Sequence, residues 1–208
     1  QRQMCIRDRW TMMLFSSLTY TETDEQLMER FVSKKSEKAF EELYRRYAPR
    51  LKGFFIRMLS GDVALADDFL QELFLRIYEA RSSYQTGKQF STWVFAIAYN
   101  FCKNEYRHRE IEEEYLSQQS HPLEKDYCVS PEFESMHDRR VFNEQLKKVL
   151  ASLTSEQRAA YTLRYEEELS VQEIAQILHC PEGTVKSRLY YTLKILQRSL
   201  SNYNPQNN

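Results

Sequence analysis

The sequence predicts an all-α protein made of two small helical domains joined by an acidic linker, with a helix-turn-helix in the second domain. Only four of the 208 residues are Gly, whereas β-sandwiches and barrels use many Gly-rich turns. Apolar residues recur at the three- and four-residue spacing of amphipathic helices. Ser, Thr and Asp also stand at several positions where such helices would begin, as N-caps require.

Composition excludes several classes of protein. A hydrophobic fraction of 42% with a net charge of −1 is enough for a core and too apolar for an extended disordered chain. A run of about 20 apolar residues is absent, so the sequence predicts no membrane span. Glycine-rich phosphate loops are absent as well. The four cysteines, Cys5, Cys102, Cys128 and Cys180, form no CxxC pair, so we expect reduced thiols, no metal site and no cofactor.

The chain divides into five segments by composition. Residues 1–23 are predicted to be an extension outside the fold, because residues 1–11 read unlike the rest and Met12 or Met13 would be a better start. Residues 24–109 form the first helical domain and 139–200 the second. The linker, 110–138, holds nine acids against one base and is predicted to be a flexible spacer, with its first part able to extend the preceding helix. Residues 201–208 are a polar tail.

Within the first domain, Pro49 predicts either a kink or a fresh helix start, and Asp62 can cap the following helix. That helix places a row of polar and apolar side chains opposite its core side at i, i+3, i+4 and i+7: Asp68, Gln71, Glu72 and Leu75. Acid–base catalysis would require a nucleophile or metal partner nearby, and the spacing of His, Ser and Cys supplies none. We therefore interpret this row as a protein-docking face.

A polar loop, residues 82–89, precedes a long helix that starts near Phe90. The predicted core side of this helix holds Val94, Ile97, Ala98, Phe101 and Cys102, and the predicted polar side holds Thr92, Tyr99, Asn100, Lys103, Tyr106 and Arg107. Aromatic rings stack on unpaired bases while cations hold phosphates, so the mixture suits single-stranded or melting DNA. Trp93 and Phe101 are expected in the core, and Asn100, Lys103 and Arg107 are expected at the contact surface.

The second domain carries two predicted capping boxes, Thr154 with Gln157 and Ser170 with Glu173. The second box begins a short helix, and a turn at His179 leads to another helix that runs to about Leu200. The predicted buried stripe of this last helix is Val185, Leu189, Leu193 and Leu196. Its outward face would hold Thr184, Ser187, Tyr191 and Lys194, flanked by Lys186 and Arg188.

Four bases and no acid lie between Gly183 and Leu200. Donors for base edges and cations for phosphates on a rigid rod are what a recognition helix in the major groove needs. The alternative is a plain helical hairpin with a solvated basic face. Capping, the small Ala175 at the crossing and the acid-free second helix favour the helix-turn-helix.

Three separated segments resemble the sigma-70 family, and most closely its extracytoplasmic-function group. They are D-D-F-L-Q-E-L-F-L (67–75), F-S-T-W-V-F-A-I-A-Y-N (90–100) and L-S-V-Q-E-I-A-Q-I-L-H-C-P-E-G-T-V-K-S-R-L (169–189). The resemblance covers about residues 24–200. It implies a promoter-specificity subunit of bacterial RNA polymerase without catalytic residues of its own, which recognises −35 and −10 elements and helps to melt DNA.

The resemblance also implies a role for three sets of residues. Those expected to dock on the clamp helices of the largest subunit of core RNA polymerase are Asp67, Asp68, Gln71, Glu72, Phe74 and Leu75. Those expected at the −10 element, where a base is flipped into a pocket, are Tyr84, Lys88, Ser91, Thr92, Asn100, Lys103, Asn104 and Arg107. Those expected at the −35 element are Thr184, Lys186, Ser187, Arg188, Tyr191 and Lys194.

The implied partners are core RNA polymerase, promoter DNA and a membrane-anchored anti-sigma factor, with no small-molecule substrate and a cytoplasmic location. The sequence departs from the family pattern in three places. Tyr190, Tyr191 and Thr192 stand where Arg is frequent, Pro181 replaces a common Ser cap, and Glu105 lies where a more basic pattern is frequent.

Two alternatives from other classes remain open at the level of sequence. One is a stand-alone helix-turn-helix regulator that binds duplex operator DNA, although its first half would then need a ligand pocket or phospho-acceptor pattern. The other is a helical nuclease with Asp67, Asp68 and Glu72 on a metal. These carboxylates lie on one outward face without a second ligand set, which disfavours a nuclease.

Overall fold

The computed structural model describes residues 22–85, 87–117 and 137–201, and within these ranges the chain is helical and contains no strand. The α-helices in chain order are α1 (Asp24–Lys34), α2 (Glu37–Met58), α3 (Val63–Glu79), α4 (Phe90–Ser117), α5 (His137–Ser152), α6 (Ser155–Tyr165), α7 (Val171–Ile177) and α8 (Glu182–Ser199). A short 3₁₀ turn, Arg81–Ser83, follows α3. The all-α prediction is therefore confirmed.

The helix starts follow the capping residues in the sequence. The Asp62 side chain accepts a hydrogen bond from the Leu65 N–H at 3.0 Å and so caps α3. Both predicted capping boxes are present, at Thr154 for α6 and at Ser170 for α7. Each box satisfies backbone N–H groups that the first helical turn leaves without partners. These three predictions are confirmed.

The first helical unit, α1–α4, surrounds a core rich in aromatic rings. Phe54 is fully buried in it and packs edge-to-face on Phe95 of α4 at a centroid separation of 5.6 Å. Helix α2 runs unbroken through Pro49, so the expectation of a fresh helix start there is wrong. Pro49 is exposed, and the packing of α2 on both sides outweighs the one backbone donor that Pro lacks.

The second helical unit, α5–α8, contains the helix-turn-helix formed by α7 and α8. His179 adopts a left-handed conformation with φ of 50° in the turn, a region where His is enriched among residues other than Gly. The expectation that Leu193 belongs to the buried stripe of α8 is wrong. Leu193 is 43% exposed, and Thr192 is fully buried in its place. The buried side of α8 is therefore Val185, Leu189, Thr192 and Leu196.

Helix α4 continues to Ser117, so the first part of the acidic segment extends the preceding helix, as one interpretation of the sequence allowed. The rest of the linker up to residue 136, residues 1–21 and the tail from residue 202 lie outside the described residues. The predicted domain boundaries remain predictions.

The two helical units pack against each other. Helix α2 contacts α6, and α4 contacts α7. One consequence is that α4, the helix with the predicted −10 contacts, has the first helix of the helix-turn-helix as a neighbour. Sequence periodicity did not predict this arrangement.

In the part of the chain that the structure describes, none of the helices is long and apolar enough to cross a membrane. The same residues contain no group of His, Cys, Asp and Glu side chains arranged to hold a metal ion.

Candidate nucleic-acid interface

The predicted docking face on α3 is an exposed strip of four side chains. Asp68, Gln71, Glu72 and Leu75 all lie at the surface, and Leu75 is 58% exposed. Glu72 forms only a long ion pair with Arg76, at 3.4 Å between exposed groups. A strip that combines acids with an exposed leucine is suited to a protein partner with basic and apolar groups.

Two residues of the predicted docking set are placed differently from this strip. Phe74 is 5% exposed and stacks against Tyr44 at 4.6 Å between ring centroids, so it supports the helix from the core side. Asp67 is half-buried, and its Oδ1 lies 2.6 Å from Nζ of Lys52 on α2. Asp67 is therefore tied to its own domain, whereas Asp68 is free to meet a partner.

The loop before α4 is held in place from two sides. The Tyr84 hydroxyl donates to the carbonyl oxygen of Lys88, which closes the loop on itself. Gly87 adopts φ of 91°, a conformation that a side chain would strain. The Glu25 carboxylate of α1 accepts from the Phe90 N–H at 3.1 Å and so binds the first turn of α4.

Tyr84 was expected to contact the −10 element, but its side chain is only 5% exposed. Its ring packs edge-to-face on Trp93 at 5.2 Å, and burial raises the pKa of its hydroxyl to about 12. In this arrangement Tyr84 shapes the loop rather than presenting a surface group. Lys88 is exposed, while Ser91 and Thr92 are half-buried.

Helix α4 presents a continuous polar face farther along, formed by four exposed residues: Asn100, Lys103, Asn104 and Arg107. Two residues predicted on this face lie elsewhere. Tyr99 is 5% exposed. Tyr106 is half-buried and donates its hydroxyl to the carbonyl oxygen of Met58, and burial raises its pKa to about 12. The second helical unit covers Tyr99, which explains why the helical phase of α4 alone misplaced it.

Helix α8 exposes a polar and aromatic face. Lys186, Ser187, Tyr191 and Lys194 are exposed, in agreement with the predicted phase. Ser187 donates its hydroxyl to the Gly183 carbonyl at 3.0 Å. Thr184 is half-buried.

Arg188, like Thr184, is not among the exposed members of the predicted −35 set. It is half-buried, and its Nη1 lies 3.4 Å from Sγ of Cys180 in the turn. Its guanidinium therefore folds back toward the start of α8 instead of extending from the helix.

Sequence reasoning missed Tyr190 as a surface residue of this face. It is 61% exposed and packs edge-to-face on Tyr191 at 5.4 Å, with Nζ of Lys194 5.9 Å from its ring centroid. At 100° per residue it lies between Lys186 and Lys194 on the outward side, and this phase was the signal that could have found it.

Comparison with known proteins identifies the two helical units. The family described as Sigma-70 region 2 matches residues 43–110, and the family described as Sigma-70, region 4 matches residues 143–196. The chain is 30% identical over 186 residues to RNA polymerase sigma-H factor of Pseudomonas aeruginosa, covering 86% of this chain and 94% of that protein. It is 34% identical over 184 residues to ECF RNA polymerase sigma-E factor of Escherichia coli, covering 81% and 89%.

Solved structures agree with the fold. The sigma factor RpoE of Bartonella quintana, in complex with the anti-sigma factor NepR, superposes with a TM-score of 0.65 at 25% identity and covers 79% of this chain and 98% of that one. CnrH, in complex with the cytosolic domain of CnrY, superposes with a TM-score of 0.65 at 19% identity over 87% and 99% of the two chains.

Region 2 and region 4 in this order, with full-length relatives, define the class of protein. The chain belongs to the extracytoplasmic-function group of the sigma-70 family of RNA polymerase sigma factors. The resemblance stated from the sequence is confirmed, and the stand-alone regulator is not favoured.

Proposed function

We propose that this protein is a promoter-specificity subunit that binds core RNA polymerase through α3, reads a −10 element with α4 and the preceding loop, and reads a −35 element with α8. The observation that supports this most is the presence of two different kinds of face on one chain. One is an acidic strip with an exposed leucine. The others are polar faces of long helices that contain Lys, Arg and Asn.

The docking role is assigned to Asp68, Gln71, Glu72 and Leu75, with Phe74 holding the helix from behind and Asp67 paired to Lys52. The −10 role is assigned to the exposed residues of α4 together with Lys88, Ser91 and Thr92. An exposed Asn can pair with a base edge, and Lys103 and Arg107 can follow the phosphates. Tyr84 is assigned a structural role, in which its hydrogen bond to Lys88 holds the loop.

The −35 role is assigned to the first two turns of α8 and to Tyr191 and Lys194 in the following turns. Lys186 and Lys194 are exposed cations that suit phosphate contacts, while Thr184, Ser187 and Arg188 suit base edges. The turn around His179 sets the angle at which α8 would enter the groove.

Three further properties belong to the same proposal. The chemistry of RNA synthesis is done by the polymerase, so this chain acts without a catalytic centre of its own. It works in the cytoplasm, where the polymerase and promoter DNA are. Because one of the similar structures is a complex with an anti-sigma factor, an anti-sigma factor is proposed as a further partner here.

The test is transcription by a reconstituted enzyme. Purified protein is combined with core RNA polymerase and a random promoter library, and the transcription starts are mapped. We expect starts at a fixed distance downstream of two conserved boxes, and none with core alone. Tight binding of an unmelted palindrome by the free protein, together with no effect on core, would overturn the proposal.

A further inference from the structure

A buried arginine joins the two helical units. Arg158 of α6 is 6% exposed. Within its own unit its guanidinium donates to three carbonyl oxygens near the end of α5, at distances of 2.8–3.2 Å: those of Leu150, Ala151 and Leu153. From the same guanidinium, Nη1 reaches the first unit, with the Met58 carbonyl oxygen at 3.1 Å and Ser60 Oγ at 3.3 Å. One side chain thus binds the ends of α5 and α2.

Two ion pairs run across the same junction, both from α2 to the end of α6. Arg50 Nε lies 2.8 Å from Oε2 of Glu167, whose side chain is only 7% exposed. Arg57 pairs with Glu166. Burial raises the pKa of Glu166, although the charge of Arg57 opposes this effect. The acids therefore depend on their arginines to offset the cost of desolvation.

The junction holds α7 beside the first turns of α4. Between them lies a cleft of about 750 Å³, lined on one side by Lys88, Thr92 and Trp93 and on the other by Glu173, Gln176 and His179. Two of the proposed −10 residues, Lys88 and Thr92, form its wall. A nucleic acid strand that contacted both residues in this cleft would lie directly against α7.

The same arrangement turns Arg188 toward the first unit. Burial raises the pKa of Tyr99, and the nearby positive charge of Arg188 opposes the increase. Arg188 is thus an electrostatic neighbour of a buried residue of α4, while its Nη1 contacts the Cys180 thiol. In contrast, Asp68, Gln71, Glu72 and Leu75 remain exposed on α3.

We call the arrangement in which the two helical units pack against each other the closed arrangement. It is incompatible with simultaneous reading of two promoter boxes, a point that rests on the proposed function. Boxes named for positions roughly 25 base pairs apart are about 85 Å apart at about 3.4 Å per base pair. Helices α4 and α7 are in direct contact. The units must separate before both boxes can be read.

We propose that Arg158 and the pairs Arg50–Glu167 and Arg57–Glu166 form an intramolecular latch that keeps this chain closed, with its polymerase-docking face exposed and Arg188 withheld from DNA. The latch orders the events of initiation. The chain can meet the polymerase while closed, and DNA contact by Arg188 follows opening.

The test uses the full chain with the double substitution Arg50→Gln and Arg57→Gln, which removes the ion-pair partners of Glu167 and of the half-buried Glu166. The matched control is Lys38→Gln with Arg45→Gln, which removes the same charge from exposed positions of the same helix. Hydrogen exchange followed by mass spectrometry should show about tenfold faster exchange in α7 and the first turns of α4 in the latch variant only. Unchanged exchange in α2 and α3 would show that the first unit stays folded.

DNA binding is measured in parallel with a fluorescent random-sequence duplex. Loss of two cations by itself weakens DNA binding, so tighter binding by the latch variant, removed again by adding Arg188→Ala, would support the proposal. Exchange equal to that of the control would overturn the latch. Faster exchange without tighter binding would overturn the withholding of Arg188.

If the latch variant unfolds the first unit, Glu166→Gln with Glu167→Gln opens the same junction from the other side. Its control is Glu37→Gln with Glu41→Gln, exposed acids on α2. If hydrogen exchange in α7 and the first turns of α4 of this second variant equals that of its control, the latch is overturned. Failure of the wild-type chain to direct transcription would instead overturn the proposed function, because the exchange experiment does not depend on the polymerase.

Discussion

Glu25 Oε1 accepts a hydrogen bond at 3.1 Å from the backbone N–H of Phe90, 65 residues farther along the chain. A carboxylate from α1 therefore serves as the N-terminal partner of α4, where the helix itself offers no acid in its first turn. The negative charge also lies at the positive end of the helix dipole. The start of the proposed −10 helix is thus set by a residue of another helix.

Glu25→Ala should destabilise the protein by about 1 kcal/mol, the usual effect of losing a helix cap. Chemical denaturation followed by circular dichroism measures this change. Glu29→Ala, on an exposed position of the same helix, should change stability much less. Equal effects of the two substitutions would contradict the capping role of Glu25.

Asp68→Lys with Glu72→Lys should abolish binding to core polymerase without unfolding the protein. Both side chains are exposed, and the Glu72–Arg76 pair at 3.4 Å contributes little to stability. Co-elution of the variant with core on size exclusion is the measurement. Glu79→Lys, an exposed change at the other end of α3, is the control and should bind normally. Undiminished co-elution of the double variant would remove the docking assignment.

Arg188→Ala should cost about 1–3 kcal/mol in binding of the holoenzyme to the −35 element if the guanidinium contacts a base. Competition between a selected promoter and versions with single changes in the −35 box measures this preference. Arg198→Ala, exposed near the end of α8, should leave the preference intact. Equal losses on every sequence would identify a phosphate contact instead.

Asn100→Ala should impair formation of the open complex more than the first binding of duplex DNA. The side chain is exposed on the face of α4 that carries Lys103 and Arg107, and its proposed −10 role gives it an unstacked base as partner. Permanganate footprinting reports melting, and gel shift of the closed complex is the internal comparison. An intact footprint would rule out this role.

Alkaline pH should destabilise the protein through the phenols of Tyr84 and Tyr106. Burial raises the pKa of Tyr84 and of Tyr106 to about 12, above the ordinary value of about 10. Their contribution to stability is therefore complete below about pH 10 and is lost as pH rises through about 12. Denaturation at a series of pH values measures the loss, and Tyr106→Phe should reduce it. A stability that stays constant over that range would contradict this expectation.

The sequence predicted those features that depend on neighbouring residues. The caps at Asp62, Thr154 and Ser170 and the left-handed turn at His179 are local, so short patterns reveal them. The exposed strip on α3 and most of the outward face of α8 follow from helical phase. The family assignment follows from three motifs in their proper order.

Residues that depend on contacts between distant segments were misplaced or missed. Tyr99 has the phase of a surface residue and is buried where the second helical unit packs on α4, close to Glu156 of α6 and Arg188 of α8. Thr192 replaces Leu193 in the core because the packing of α8 against α6 and α5 selects a slightly rotated face. Arg158 has the sequence context of an ordinary surface base, and its burial follows from its hydrogen bonds to the ends of both α5 and α2.

The carbonyl oxygen of Met58 accepts from both Tyr106 of α4 and Arg158 of α6. The two donors come from different units: Tyr106 belongs to the same unit as Met58, and Arg158 belongs to the second unit. When the second unit departs, the acceptor keeps its phenol and can give its other lone pair to water. Helix α4 therefore keeps its hydrogen bond from Tyr106 to Met58 whether or not the second unit is in contact. The position of α4 against the end of α2 does not depend on the second unit.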